Sequence, residues 1–181
     1  MYAILDCNNF YANCEWLFQP HYAHHPTIVW SNNDGIVIAL SDEAKALGIK
    51  RGDPAFKILH LIHKHNINIF SANFALYGDI SRRVMSIIST YFCPDVEVYS
   101  IDECFMDLSG FNLDLKEYCT QMRSQILKWT GIPTCVGIAP TKALAKLANR
   151  VAKKFPQLGG VHIIDTEEKR IKALKWLKVG D

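Results

Sequence analysis

Apolar runs and helical-period stripes divide the chain clearly. Residues 2–6 (YAILD) are a short apolar run ending on a carboxylate and read as a strand. Asn8 or Asn9 then offers a cap for a helix running to about Leu17. IVW at 28–30 and IVIAL at 36–40 read as strands, and Asn32-Asn33-Asp34-Gly35 between them reads as a hairpin turn. A short helix is expected over 41–47, opened by Ser41 and stopped by Gly48, and another over 54–65. Tyr77, Ile80, Val84, Ile87, Ile88 and Tyr91 carry a helical stripe through 77–91. Two strand-like runs at 96–108 flank an acidic turn at Asp102-Glu103. An amphipathic helix over 114–130, a buried-type strand at 134–139 and a basic helix over 142–154 follow. After the Gly159-Gly160 break come a strand at 161–164 and a second basic helix over 167–178, capped by Thr166.

Without residues 27–75 this order is strand, helix, helix, strand–turn–strand, helix, strand. That sequence of elements predicts an α+β, ferredoxin-like sheet with its helices on one face. Residues 27–75 read as a small α+β subdomain inserted into it.

Composition narrows the class. At 49% hydrophobic and 21% charged, the 181-residue chain has globular composition. No apolar run approaches the roughly 18 residues of a membrane span. MYAILDCNNF has no basic region before its apolar stretch and does not read as a signal peptide. The six Cys include no CxxC pair, so free thiols in a reducing cytoplasm are expected. Charge is unevenly spread: residues 1–141 hold 10 Lys and Arg against 14 Asp and Glu, whereas 142–181 hold 10 against 4. Such a division suits a carboxylate metal site beside a polyanion contact, and equally two solvated Lys-rich helices.

The acidic turn carries the most chemistry. In a ferredoxin-like sheet the end of the first strand lies near the hairpin, which brings Asp6 to Asp102 and Glu103. Three converging carboxylates call for a cation, and an all-oxygen donor set favours Mg²⁺. A pair of such ions about 3.5–4 Å apart activates a hydroxyl nucleophile and stabilises a leaving pyrophosphate. A solvated hairpin tip is the structural alternative. Lys142, Lys146, Arg150 and Lys153 form one basic face, suited to a triphosphate or a nucleic-acid backbone, or simply to solvent. Lys45 and Arg51, flanking the short helix, are further phosphate candidates. Backbone amides around Asn8, Asn9, Phe10 and Tyr11 can hold phosphate oxygens at a helix start. Phe10 and Tyr11 read most simply as core residues, and a ring there, beside a bound sugar, could also exclude a 2′-hydroxyl. The histidines at 21, 24, 25, 60, 63 and 65 have no completing ligand for zinc.

Taken together, Asp6-Cys7-Asn8-Asn9-Phe10-Tyr11-Ala12, Ser31-Asn32-Asn33-Asp34-Gly35, Asp42-Glu43-Ala44-Lys45-Ala46-Leu47-Gly48, Tyr99-Ser100-Ile101-Asp102-Glu103 and the stretch from Gly137 to Asn149 resemble the Y-family translesion DNA polymerases, and within them the UmuC-like group. The resemblance implies an error-prone polymerase catalytic region acting in SOS damage tolerance. It implies a palm (1–26 and 76–181) in which Asp6, Asp102 and Glu103, with the Cys7 carbonyl, hold two Mg²⁺ ions, and fingers at 27–75. Tyr11 would be the steric gate, Ile38 and Ala39 would face the incoming base, and Lys45 and Lys153 would contact the triphosphate. Many relatives carry Arg at the position of Lys45, and Lys lacks the fork that grips two phosphate oxygens. Primer–template DNA, deoxynucleoside triphosphates, a cleaved UmuD-type accessory dimer, a recombinase filament and a sliding clamp are the implied partners. The chain stops at Leu177-Lys178-Val179-Gly180-Asp181, where the family's thumb begins, so thumb and little finger are expected to be absent and the grip on DNA weak. Two other readings stand beside this one: a nucleotidyl cyclase built on a related palm, and a truncated, non-catalytic nucleotide- or DNA-binding module.

Overall fold

In the computed structural model, residues 1–177 are described. Along the chain run β1 (Tyr2–Cys7), α1 (Phe10–Phe18), β2 (Thr27–Trp30), β3 (Val37–Leu40), α2 (Asp42–Ala46), α3 (Ala55–His65), β4 (Asn68–Ser71) and α4 (Phe74–Tyr91). They are followed by β5 (Val96–Val98), β6 (Glu103–Asp107), α5 (Leu115–Thr130), β7 (Thr134–Ala139), α6 (Lys142–Lys154), β8 (Val161–Ile163) and α7 (Glu167–Trp176). The α+β architecture is the expected one. The last residue of the helix expected over 167–178, and the chain end at 178–181, lie outside the described residues.

Two compact units result: one comprises Met1–Asn8 and the chain from Ser81, the other Asn9–Ile80. The first is built on a five-stranded sheet in the order β5-β6-β1-β7-β8. β1 lies at its centre, antiparallel to both β6 and β7. Ile4 stands opposite Phe105 and Gly137, and Asp6 opposite Glu103 and Cys135. Residues directly opposite, and residues two apart on a strand, share a face. Asp6 and Glu103 therefore emerge on the same face as Ile4, Phe105 and Gly137.

That face is covered by α6. A Cβ on Gly137 would stand 2.1 Å from the Asn149 amide nitrogen and 2.2 Å from the Ala145 carbonyl oxygen, so only glycine lets the helix backbone come this close. Buried Asn149 reinforces the contact by donating from Nδ2 to the carbonyls of Ile4 (3.3 Å) and Cys135 (3.1 Å). Ile4, Phe105, Ala139, Ala145, Leu147, Ala148, Ile164 and Ala173 form the apolar core beneath α6 and α7. On the other face Ala3, Leu5, Cys104, Met106, Val136 and Ile138 are also buried. α5 packs on β7 and β8 as well, burying Cys119, Met122 and Ile126. Helices thus cover both faces rather than one. The cause is legible in β1 and β7, whose apolar runs are nearly continuous instead of alternating.

The second unit has a three-stranded sheet, β3-β2-β4. β2 and β3 form the expected antiparallel pair, with Asp34 at positive φ in the connecting turn. β4 pairs with β2 in parallel, a strand the sequence pattern did not disclose. Ile28, Trp30, Val37, Leu40, Ile58 and Ile62 lead its core. Ser41 caps α2 as expected, its Oγ accepting from the Ala44 amide. Asn9 does not cap α1 with its side chain: it sits at the N-cap in the left-handed region (φ 44°) and makes no side-chain cap bond. Thr166 caps α7 as expected, accepting from the Lys169 amide.

Candidate active site

The β1–β6 register sets the site. It places the Asp6 and Glu103 carboxylates directly opposite one another on adjacent strands, an arrangement that like charges disfavour. Asp102 belongs to the turn entering β6. Its backbone carbonyl accepts from the Cys7 amide at 2.9 Å, and its Oδ1 accepts from Ser100 Oγ at 2.7 Å. Sequence reasoning did not single out Ser100 for this role, although a Ser two residues before an Asp in a turn is a local signal for such a bond.

Across from these acids runs the basic face of α6. Lys153 Nζ lies 2.5 Å from Asp6 Oδ2, and Lys146 Nζ lies 3.5 Å from Glu103 Oε2. Lys146 also stands 4.2 Å from the centre of the Tyr99 ring, a cation–π distance. Asp6, Glu103, Lys146, Asn149, Arg150 and Lys153 line a cleft of about 410 Å³. Burial pushes the Asp6 carboxyl up to about 6 from its usual 3.8. Lys153 opposes that rise, while Asp102 and Glu103 add to it.

Lys142 departs from this group. It pairs with Glu97 and lies over the rings of Phe105 (5.3 Å) and Tyr2 (5.9 Å). The expected single basic face is thus split. Lys146, Arg150 and Lys153 line the carboxylate cleft, and Lys142 is held at the sheet edge beside β5.

Among the described residues, no group of three or more His, Cys, Asp and Glu stands in metal-holding geometry. The donor chemistry nevertheless suits a hard divalent cation. Asp6, Asp102 and Glu103 act on one another electrostatically, burial holds one of them above its normal range, and the nearest counter-charges are lysines with 38% and 42% exposed side chains, which can turn to solvent. Cys7 is buried and its amide is committed to Asp102. The Asn8 amide is likewise committed, donating to the Pro133 carbonyl at 2.8 Å, while its Nδ2 reaches Cys135 Sγ at 3.3 Å.

The remaining candidates belong to the Asn9–Ile80 unit. Asn9 Oδ1 accepts from Lys45 Nζ at 2.5 Å, and Lys45 also pairs with Asp42 at 2.7 Å. Phe10 is buried. The Tyr11 ring stacks on that of Tyr77, with centroids 4.2 Å apart and planes at 13°. Ile38 and Ala39 are half-buried on β3.

Comparison with known proteins places these features. The impB/mucB/samB family profile matches residues 5–150. The ImpB protein of Salmonella typhimurium is 48% identical over 179 residues, 98% of this chain and 42% of that protein. The UmuC protein of Salmonella typhimurium strain LT2 is 44% identical over 184 residues, 100% of this chain and 43% of that protein. The chain therefore spans less than half the length of these curated relatives. Among solved structures, DinB from Sulfolobus solfataricus superimposes with a TM-score of 0.80 at 27% identity, covering 93% of this chain and 49% of that one. An insertion ternary complex of Dbh DNA polymerase gives the same TM-score and identity, with 93% and 50% covered. The profile match takes in the end of β1 with Asp6, the acidic turn and most of α6, parts of the elements that build the cleft, and this chain belongs to the impB/mucB/samB family, with the fold of Y-family DNA polymerases.

Proposed function

We propose that this chain is the catalytic region of an error-prone translesion DNA polymerase, which transfers deoxynucleotides to a primer 3′-hydroxyl under template direction. The observation that carries the reading is the cross-strand pairing of Asp6 with Glu103, beside Asp102, in a cleft roofed by Lys146, Arg150 and Lys153. In this reading 1–26 and 76–181 are the palm and 27–75 the fingers. Asp6, Asp102, Glu103 and the Cys7 carbonyl would hold two Mg²⁺ ions. Bound there, the ions supply the charge that activates a hydroxyl nucleophile and neutralises a departing pyrophosphate.

The chain's own residues supply positioning. Phosphoryl transfer is mostly alignment and charge stabilisation. Lys153 and Lys146 lie on the same cleft as the acids, so each can pass from a carboxylate to a phosphate oxygen without leaving its helix. Arg150 lines the cleft between them. In the Asn9–Ile80 unit, Lys45, Asn9 and Phe10 are proposed nucleotide contacts, and Ile38 and Ala39 face the base. Tyr11 closes the space that a 2′-hydroxyl would need. Primer–template DNA and deoxynucleoside triphosphates are the partners of this reaction.

The test is primer extension on undamaged and abasic templates with Mg²⁺ and all four deoxynucleotides, run beside Asp102→Ala/Glu103→Ala. Extension by the chain that the double substitution abolishes supports the assignment. Extension that survives it removes these carboxylates from catalysis. Nucleotide or DNA binding with no extension by either protein favours a non-catalytic binding module.

A further inference from the structure

α1 places Tyr11 and Glu15 one helical turn apart, and such i, i+4 residues lie on one face. α4 places Phe74 and Tyr77 three residues apart, again on one face. The four side chains interlock. Tyr77 is fully buried, and its hydroxyl donates to Glu15 Oε1 at 2.7 Å. Its ring lies under that of Tyr11. Phe74 meets the edge of both rings, at 6.0 Å from Tyr11 and 6.1 Å from Tyr77.

The acid in this arrangement needs a reason. Glu15 is only 8% exposed, and a buried carboxylate is costly unless its partner compensates. A core that needed only volume would use an apolar residue there and a Phe at 77. Burial and the bond to Glu15 drive the Tyr77 phenol far above its ordinary range, so it remains a donor at every physiological pH. The bond holds the Tyr77 hydroxyl in place, and full burial with the edge contact from Phe74 holds the plane of its ring. A stacked ring follows the plane of its platform, because offset stacking at this separation is orientation-dependent.

We propose that Tyr77, anchored by Glu15, is the positioning residue that sets the ring of Tyr11, and that discrimination between deoxy- and ribonucleoside triphosphates depends on this buried carboxylate–phenol bond as well as on Tyr11. The inference rests on the gate role proposed for Tyr11. A gate held by two torsions alone swings aside to admit a 2′-hydroxyl. A gate stacked on an anchored platform must break the stack to do so.

The experiment compares the 181-residue chain with Tyr77→Phe/Glu15→Leu, which removes the bond without stranding a buried charge, with Glu15→Gln, which keeps an acceptor, and with Tyr11→Ala. One readout needs no nucleotide: the ring carbon resonances of Tyr11 in tyrosine-labelled protein, assigned through Tyr11→Phe. The other is the ratio of dGTP to GTP affinity with Mg²⁺ present, with thermal stability followed alongside. Loss of one anchoring bond is expected to relax the ratio by about threefold to tenfold in the double variant. The Tyr11 resonances should shift in parallel, and Glu15→Gln should stay close to the parent in both. Unchanged Tyr11 resonances in the double variant overturn the brace. So does an unchanged ratio there when Tyr11→Ala abolishes discrimination. An unchanged ratio in Tyr11→Ala itself, or no nucleotide binding by the parent, overturns the gate reading first and the brace with it.

Discussion

Asp6 is stabilised poorly as an anion, and this has a measurable consequence in metal-free protein. Its carboxyl is raised from 3.8 to about 6, with burial the largest cause, although Lys153 sits on it. The sign follows from linkage. Between pH 3.8 and about 6 the folded state holds more protons than the unfolded state, so stability falls as pH rises through that window. Above it the full penalty, on the order of 3 kcal/mol, is present. Asp6→Asn should therefore raise the melting temperature in EDTA at pH 7.5 and flatten the fall between pH 4 and 6. A lower melting temperature than the parent would show that the Lys153 pair outweighs desolvation. Asp6, Asp102 and Glu103 were legible as residues because carboxylates at the ends of apolar strands are hard to explain by packing. The Lys153 pairing was not, since spacing along α6 gives a face but not its rotation against the sheet. Tyr77 and Glu15 were hidden for a related reason. A buried acid and a buried phenol 62 residues apart have no sequence pattern that joins them.

At the scale of elements, the site depends on how closely α6 lies on β7. Gly137 leaves no room for a methyl group, since the backbone atoms it would meet at 2.1 and 2.2 Å belong to the helix itself and cannot rotate away. Gly137→Ala should cost about 3 kcal/mol or more, because relief requires moving the helix that carries Lys146 and Lys153. Asn149→Ala removes two buried bonds and should cost about 1–3 kcal/mol. Urea unfolding measures both, and a cost below about 0.5 kcal/mol for Gly137→Ala would contradict the close packing. Helices with capped starts were readable in advance, as α2 and α7 show. β4 was not: its four residues, NIFS, are short and mixed in polarity. It becomes a strand only because the β2 edge supplies partners for its backbone. Asn9 misled for the opposite reason. It is a favourable capping residue in type, but its side chain is engaged by Lys45 and its backbone is left-handed.

For the whole molecule, the distribution of charge limits how strongly DNA can be held. Residues 1–141 carry more acids than bases, and the excess of bases lies beyond them. Five of those basic side chains, Lys142, Lys146, Lys153, Lys169 and Arg170, are already in ion pairs with carboxylates of the same chain. A phosphate contact releases counterions fully only where it does not first break an internal pair, and each full contact contributes about −0.9 to the slope of log K against log salt. Of the ten bases beyond residue 141 five are so engaged, so the slope for primer–template DNA should be shallow, about −4.5 or less in magnitude. Affinity should be weak at 150 mM salt, and products made in the presence of a heparin trap should extend by only a few nucleotides. Fluorescence anisotropy of a labelled primer–template across 50–300 mM salt measures the slope, and gel analysis of trapped reactions measures the products. A steep slope with long trapped products would mean that the internal ion pairs open on DNA and that the α6 lysines grip phosphate directly. Shallow binding with short products would show that these 181 residues by themselves hold DNA only weakly.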